Sequence, residues 1–377
     1  MSQAPSAFPL MFLDGVGLRR LARLFALFSD LSDLLYGERQ RLKALRLSVR
    51  ALQQLDEYAS SPEHSELFRS AMRMQAWLAQ EQVTVVSYFD AQYPLLLKHL
   101  ADPPAFLFCQ GNLSLLHEPQ IAIVGSRKAT AGGLENAYQF AAELSSRGFV
   151  VTSGFALGID TQAHEGALTG VGGTVAVLGT GLDQTYPQRN AGLRDRVREQ
   201  GLIVTEFPLE TPPKRENFPQ RNRIISGLSC GVLVVEADVR SGSLITARQA
   251  LDQGREVFAI PGSIHNPLAK GCHVLIQQGA KLTMSADDIL EEIQVLTRVT
   301  SVSLPQSSGP RTGTAQAHSE SLSASEDQVL AALGYERCDV DALMEQTGLS
   351  ISEILNAVCM LELKGVVQSV PGGYERL

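Results

Sequence analysis

Residues 121–130 read IAIVGSRKAT. An apolar run stops at a glycine, and a serine and two cations follow. A run this short and continuous suits a parallel strand buried on both faces, with the glycine marking the turn out of it. The same unit recurs along the chain. Strands are predicted at 121–125, 149–152 (FVVT), 174–178 (TVAVL), 202–205 (LIVT), 231–235 (GVLVV) and 256–260 (EVFAI). The intervals can hold helices; in the first, Leu134, Ala137, Tyr138, Ala141 and Leu144 make one apolar stripe. This alternation predicts an α/β fold, a Rossmann-like, doubly wound, mostly parallel sheet. Val83–Val86 and Ala105–Phe108 add two strands upstream, with Pro103-Pro104 between them. The domain is expected to span 81–298.

Outside that span the periodicity changes. Leu13, Val16, Leu18, Leu21, Leu24, Leu27 and Phe28 recur at helical spacing, so residues 1–80 are expected to form a helical domain. Gly15-Val16-Gly17 reads either as the hairpin of a helix-hairpin-helix (SAM-like) unit or as a glycine turn in a small bundle. Residues 299–324 are rich in Ser, Thr, Gly and Pro without apolar period and read as a flexible linker. Residues 325–377 predict three helices, at about 325–333, 339–346 and 350–363, and a hairpin around Pro371-Gly372-Gly373. That is the outline of a winged helix. Its third helix carries Glu353, Glu362 and only Lys364, which suits protein docking or a structural role at least as well as DNA reading.

The chain of 377 residues holds 32 Lys+Arg against 40 Asp+Glu, a net charge of −8. A uniformly cationic surface is excluded, but a local basic groove is not. Cys109, Cys230, Cys272, Cys338 and Cys359 are scattered without metal-ligand spacing, which points to a reducing compartment and to no structural metal. No leader-like segment and no run of about 18 apolar residues occurs, so the expectation is a cytoplasmic protein without a membrane partner.

In an open α/β sheet, ligands bind beyond the carboxyl ends of the strands. Gly125, Ser126, Arg127 and Lys128 follow the first strand, in neither a GxGxxG nor a Walker A pattern. They suit a phosphate at a helix start, Ser126 as a plain N-cap being the alternative. Gly154 follows the second strand, in a turn that leads to Asp160 and His164; Gly179 and Gly181 follow the third; Arg240, Ser241 and Ser243 follow the fifth. The recurrence of Gly, Ser and Arg along one edge suits a row of phosphates better than one small ligand. No nucleophile, metal set or cofactor motif stands out, so no catalytic residue and no cofactor are assigned.

After the fourth strand comes ENFPQRNRIISGLS (216–229), preceded by Lys214 and Arg215. An acidic chain here gathers Lys214, Arg215, Arg221 and Arg223, together with Asn222, beside Phe218 at a helix start. Cations can neutralise successive phosphates while the ring stacks a base, which favours single strands without sequence preference. The alternative for Phe218 is a staple packed under the following helix.

These motifs name a family. IAIVGSRKAT (121–130), SGFALGIDTQAHEGAL (153–168), AVLGTGLDQTYP (176–187), ENFPQRNRIISGLS (216–229), VVEADVRSGSLITARQALDQGREVFAIPGS (234–263) and GCHVLIQQGA (271–280) together resemble the DNA processing protein A (DprA/Smf) family. YPLLLKHLADPPAFLFCQGN (93–112) extends the match. The resemblance implies a non-enzymatic, homodimeric protein that binds and protects single-stranded DNA in natural transformation and loads the RecA recombinase onto it. It also implies a DNA groove built from Arg127, Lys214, Arg215, Phe218, Arg221, Asn222 and Arg223, with Asn222 and Asp160 open to a scaffold role. The competing function is a nucleotide-processing enzyme related to nucleoside-monophosphate phosphoribohydrolases. Those carry PGGxGTxxE, whereas this chain reads RSGSLITARQA, with no acid at that spacing.

Overall fold

A computed structural model of the chain describes residues 6–37, 39–301, 324–333, 338, 340–351, 353–354, 357–358, 361, 367–370 and 373–376. Residues up to 304 form one compact unit and those from 305 a second.

The first unit is built on a nine-stranded sheet. Its strands are β1 (Val83–Ser87), β2 (Phe106–Gly111), β3 (Gln120–Val124), β4 (Val150–Ser153), β5 (Thr174–Val177), β6 (Leu202–Thr205), β7 (Gly231–Val234), β8 (Glu256–Ala259) and β9 (Lys281–Leu282), in the order β1-β2-β6-β5-β4-β3-β7-β8-β9. The segment from β6 to β9 is parallel, while β1–β2 and β2–β6 pair antiparallel. The antiparallel edge and the two-residue β9 were not legible in the sequence: β9 is too short to show a period.

The N-terminal helices are α1 (Leu18–Ala26), α2 (Leu31–Tyr36), α3 (Val49–Ser60) and α4 (Glu66–Gln80). The sheet region adds α5 (Leu95–Lys98), α6 (Ala131–Ser146), α7 (Ile159–Ala167), α8 (Ala191–Gln200), α9 (Asn217–Leu228), α10 (Ser243–Asp252), α11 (Lys270–Gln277) and α12 (Ala286–Ser301). Side chains alternate across the sheet. Ile121 and Ile123 pack with Ala137, Ala141 and Leu144 of α6 and Ile159 and Ala163 of α7. Ala122 and Val124 face Ile224, Ile225 and Leu228 of α9, with Leu244 and Ala247 of α10. Strands buried on both faces explain why their sequences are apolar without alternation.

The N-terminal helices were expected as a separate domain ending at 80. Instead Leu10, Leu21, Leu24, Phe25 and Leu55 share one apolar core with Phe106, Phe108, Ala176 and Ile203 of the sheet and Leu193 of α8. The apolar stripe that defined the helices in the sequence is the stripe that buries them against the sheet. Gly15 sits at φ 65 in a tight turn before α1.

The second unit contains α13 (Ala324–Leu333), α14 (Val340–Thr347), helical residues at 351, 353–354, 357–358 and 361, and a hairpin of β10 (Val367–Val370) and β11 (Gly373–Arg376). Its core is Val329, Leu333, Leu343, Ile354, Ala357, Val358, Leu361 and Val367. Helices closed by an antiparallel hairpin make the winged-helix arrangement the spacing implied. The linker expected at 299–324 lies outside the described residues, except that α12 runs on to Ser301 and α13 begins at Ala324.

Candidate nucleic-acid groove

β3 to β6 step outward in one direction, and α9 then carries the chain back to β7 on the other side of β3. The reversal leaves a crevice beyond the carboxyl ends of β3 and β7, where open α/β sheets bind ligands. A groove of about 930 Å³ occupies it. One wall is the loop after β3, with Gly125, Ser126, Arg127 and Lys128; another is the first turns of α9, with Phe218, Pro219 and Asn222; the third is the loop into α10, with Arg240, Ser241 and Ser243. Pro213, Arg215 and Tyr186 complete the exposed lining, and the buried Asp160 and Arg221 lie in the floor.

Arg127 and Phe218, ninety-one positions apart in the chain, meet here: the guanidinium carbon of Arg127 lies 5.5 Å from the centre of the Phe218 ring. Tyr186 packs on the same ring at 5.7 Å between centroids and 38° between planes. Phe218 is only partly buried and lines the groove, so it is not a staple under α9. Pro219, in the first turn of α9, lacks an N–H that would have had no helical partner there. Tyr186 was not among the expected site residues; an aromatic in a loop at the carboxyl edge was its only signal.

Arg221 is buried beneath the groove and donates through Nη1 to the carbonyls of Gly154 and Val177, the ends of β4 and β5. Burial, opposed by the carboxylate of Asp160 and aided by the neighbouring Arg127 charge, lowers its pKa to about 10, so it stays cationic at neutral pH. Asp160, within the first turn of α7, accepts from Ala156 N at 3.2 Å. Burial pushes its carboxyl up, against the pull of Arg221. His164 is fully enclosed and bonds the Thr174 hydroxyl at 2.7 Å; burial first, then Arg221, holds it down at about 3. Asp160 and His164 are thus part of the supporting floor.

Several expectations change. Ser126 does not start a helix: α6 begins at Ala131, Thr130 is its N-cap, and Ser126 Oγ accepts from Lys128 N at 3.1 Å. The anion beside that helix end is internal, because Glu236 accepts from Thr130 N (2.9 Å) and Thr130 Oγ1 (2.7 Å). Gly154 and Gly179 are not part of the groove lining. A Cβ on Gly154 would stand 2.7 Å from Arg221 Nη1, and one on Gly179 would stand 2.9 Å from the Phe218 ring. Both line a chamber of about 60 Å³ beneath Phe218 and Tyr186. Gly179 also accepts from Asn217 Nδ2 at 3.1 Å.

Arg223, expected in the groove, does not line it. It is buried, with Nη2 2.5 Å from Glu206 and Nε 3.1 Å from Asp102. One helical turn separates Phe218 from Arg221 and Asn222, whereas Arg223 projects to another side of α9. Lys214 is exposed and absent from the groove lining, while its carbonyl accepts from Asn217 N at 3.1 Å.

Residues 84–294 match the family described as DNA recombination-mediator protein A, and residues 313–373 match the DprA winged helix domain. The chain belongs to the DprA/Smf family. It is 44% identical over 302 residues to protein Smf of Escherichia coli, covering 80% of this chain and 79% of that one. It is 42% identical over 241 residues to DNA processing protein DprA of Bacillus subtilis, covering 64% of this chain and 81% of the relative. The solved structure of DNA processing protein A from Streptococcus pneumoniae superposes with a TM-score of 0.61 at 36% identity, covering 78% of this chain and 99% of that one. The Helicobacter pylori DprA, whose structure is described as giving insight into a unique single-stranded DNA binding mode, matches with a TM-score of 0.52 at 29% identity over 58% of this chain and 97% of that one. The DprA/Smf winged helix thus accounts for the second unit, and the groove lies within the span of the mediator family.

Proposed function

We propose that the groove binds single-stranded DNA and that the chain works on it as a DNA processing protein. The observation that carries this reading is the stack of Arg127, Phe218 and Tyr186 on a groove whose lining also brings Lys128, Arg215, Arg221 and Arg240 against only Asp160 and Asp238. The exposed Arg127, Lys128, Arg215 and Arg240 suit phosphates, and a partly exposed ring suits any base. The Helicobacter pylori relative, described by its single-stranded DNA binding, supports the same assignment. The role we infer beyond binding is protection of incoming strands in natural transformation and loading of the RecA recombinase, in the cytoplasm, by a homodimer without enzymatic activity.

A nucleotide-processing enzyme is the competing function. Its acidic candidates are already committed: Glu236 to Thr130, and Asp160 beneath Arg221. Titration of fluorescent oligo-dT against the Arg127→Ala/Phe218→Ala variant tests the binding reading. Affinity should fall at least tenfold while the melting temperature is kept; unchanged affinity in the folded variant removes the groove from consideration. Release of adenine from AMP by the pure protein would instead establish the enzyme.

A further inference from the structure

Outside the groove, positive charge is densest between residues 15 and 50, where eight Arg and Lys stand against three Asp and Glu in a chain of net charge −8. The structure separates these cations by use. Arg41 pairs with Asp33 at 3.0 Å and lies over Phe28, and Arg50 pairs with Glu66. Arg20 is half-buried; its Nη1 donates to Gly15 O at 3.1 Å, and its Nη2 donates to Leu45 O at 2.7 Å and Arg46 O at 2.8 Å. One side chain therefore ties the glycine turn before α1 to the loop before α3. Arg19, Arg23 and Arg46 remain exposed, without a carboxylate partner among the described residues.

The placement of Arg19 and Arg46 does little for stability. Arg19 and Arg23 lie four residues apart on one face of α1, away from the buried Leu21, Leu24 and Phe25. Arg19 and Arg20 occupy the first turn of a helix that has no acidic residue there and no side-chain cap. Cations at a helix N-terminus oppose its dipole. Arg46 is held at φ 47, where side chains other than glycine are uncommon. Arg23 lies in the last turn of α1, where a cation suits the dipole, but it faces water on the same side as Arg19. Exposed charge that at Arg19 and Arg46 gains nothing locally calls for a ligand that neutralises it.

We propose that Arg19, Arg23 and Arg46 form a second contact surface for nucleic-acid phosphates, separate from the groove and resting on the reading that the chain handles DNA. Guanidinium contacts to phosphate position a nucleic acid without reading its sequence. The N-terminal helices share their core with Phe155 and Leu178, which also line the chamber beneath Phe218, so surface and groove belong to one packed unit. The surface engages strands that outrun the groove, or duplex, since both offer the same phosphates.

The full chain carrying Arg19→Glu and Arg23→Glu tests this. Affinity is measured across a salt series for oligo-dT of about 6 nucleotides, within one groove's site size, for oligo-dT of about 40, and for a duplex of similar length. The short strand should bind as to wild type. For the long strand the slope of log K against log salt should shrink by about 1.4, and for duplex by about 1.8, the values for two lost phosphates. Loss on one of the two identifies which source the surface serves. Arg19→Lys/Arg23→Lys should restore the slope. Unchanged slopes for both long ligands overturn the proposal, and so does equal loss on the short strand, which would place the effect in the groove. Failure of the groove reading is distinguishable: it would show in Arg127→Ala/Phe218→Ala with the short strand, whatever the Arg19/Arg23 result.

Discussion

Replacing Arg223 tests whether proximity in sequence or position in the fold governs a residue's role. Side-chain exposure is 7% for Arg223 and 4% for Glu206, and the pair is 2.5 Å apart. Truncation in Arg223→Ala leaves Glu206 as an uncompensated buried carboxylate, a loss of about 3–5 kcal/mol. The Asp102 contact adds little, because that carboxylate is 49% exposed and screened. For a unit of this size the loss corresponds to a fall in melting temperature of roughly 5–8 °C. The Arg223→Met/Glu206→Leu double variant removes both charges and should recover most of that stability. The effect carries a pH signature. Burial raises the Glu206 carboxyl and Arg223 lowers it, with burial the larger influence. Without Arg223 the carboxyl climbs further, so the folded state holds a proton that the unfolded state has released. The destabilisation is therefore largest at neutral pH and shrinks as pH falls toward the ordinary carboxylate range. Thermal melts at several pH values and oligo-dT titration of the stable double variant are the assays. A double variant that melts like wild type yet binds oligo-dT tenfold more weakly would refute the reasoning, because Arg223 would then be contacting the strand.

Other consequences are independent of that pair. Gly179→Ala would place a methyl 2.9 Å from the Phe218 ring, and displacing that ring should weaken oligo-dT binding by up to the ~1–3 kcal/mol of a base stack, read by the same titration. Thr130→Ala removes both the α6 cap and the hydroxyl bond to Glu236, and should lower stability by about 1–2 kcal/mol in a denaturant melt. His164 is neutral in the folded state down to about 3 and protonates near 6.5 when unfolded. The unfolded state thus binds the extra proton, and stability falls with pH between those values, by at most about 1.4 kcal/mol per unit from this group; a His164→Gln variant that still folds should show a shallower acid slope.

What was legible follows from the range of the interactions involved. The run Ile121–Val124 announces a strand buried on both faces because burial on both faces removes the need for polar alternation, and β3 is an interior strand of the sheet, flanked by β4 and β7. The carboxyl-edge rule then brought Arg127, Phe218 and Arg240 to one groove from separate motifs. The helical period of α1 was equally clear, but it records only that one face is apolar. It does not say that this face is covered by Phe106 and Phe108 of the sheet.

Sequence alone determined the local order of strands and helices and the carboxyl edge as the place for a ligand, because periodicity and turn residues act over a few positions. Tertiary structure alone decided which cation meets solvent. Arg221 and Arg223 are two residues apart on one helix, yet one lies under the groove, bonded to Gly154 and Val177, and the other is locked to Glu206. Two residues turn a helix by about 200°, and only the packing of α9 on the sheet says what stands on either side.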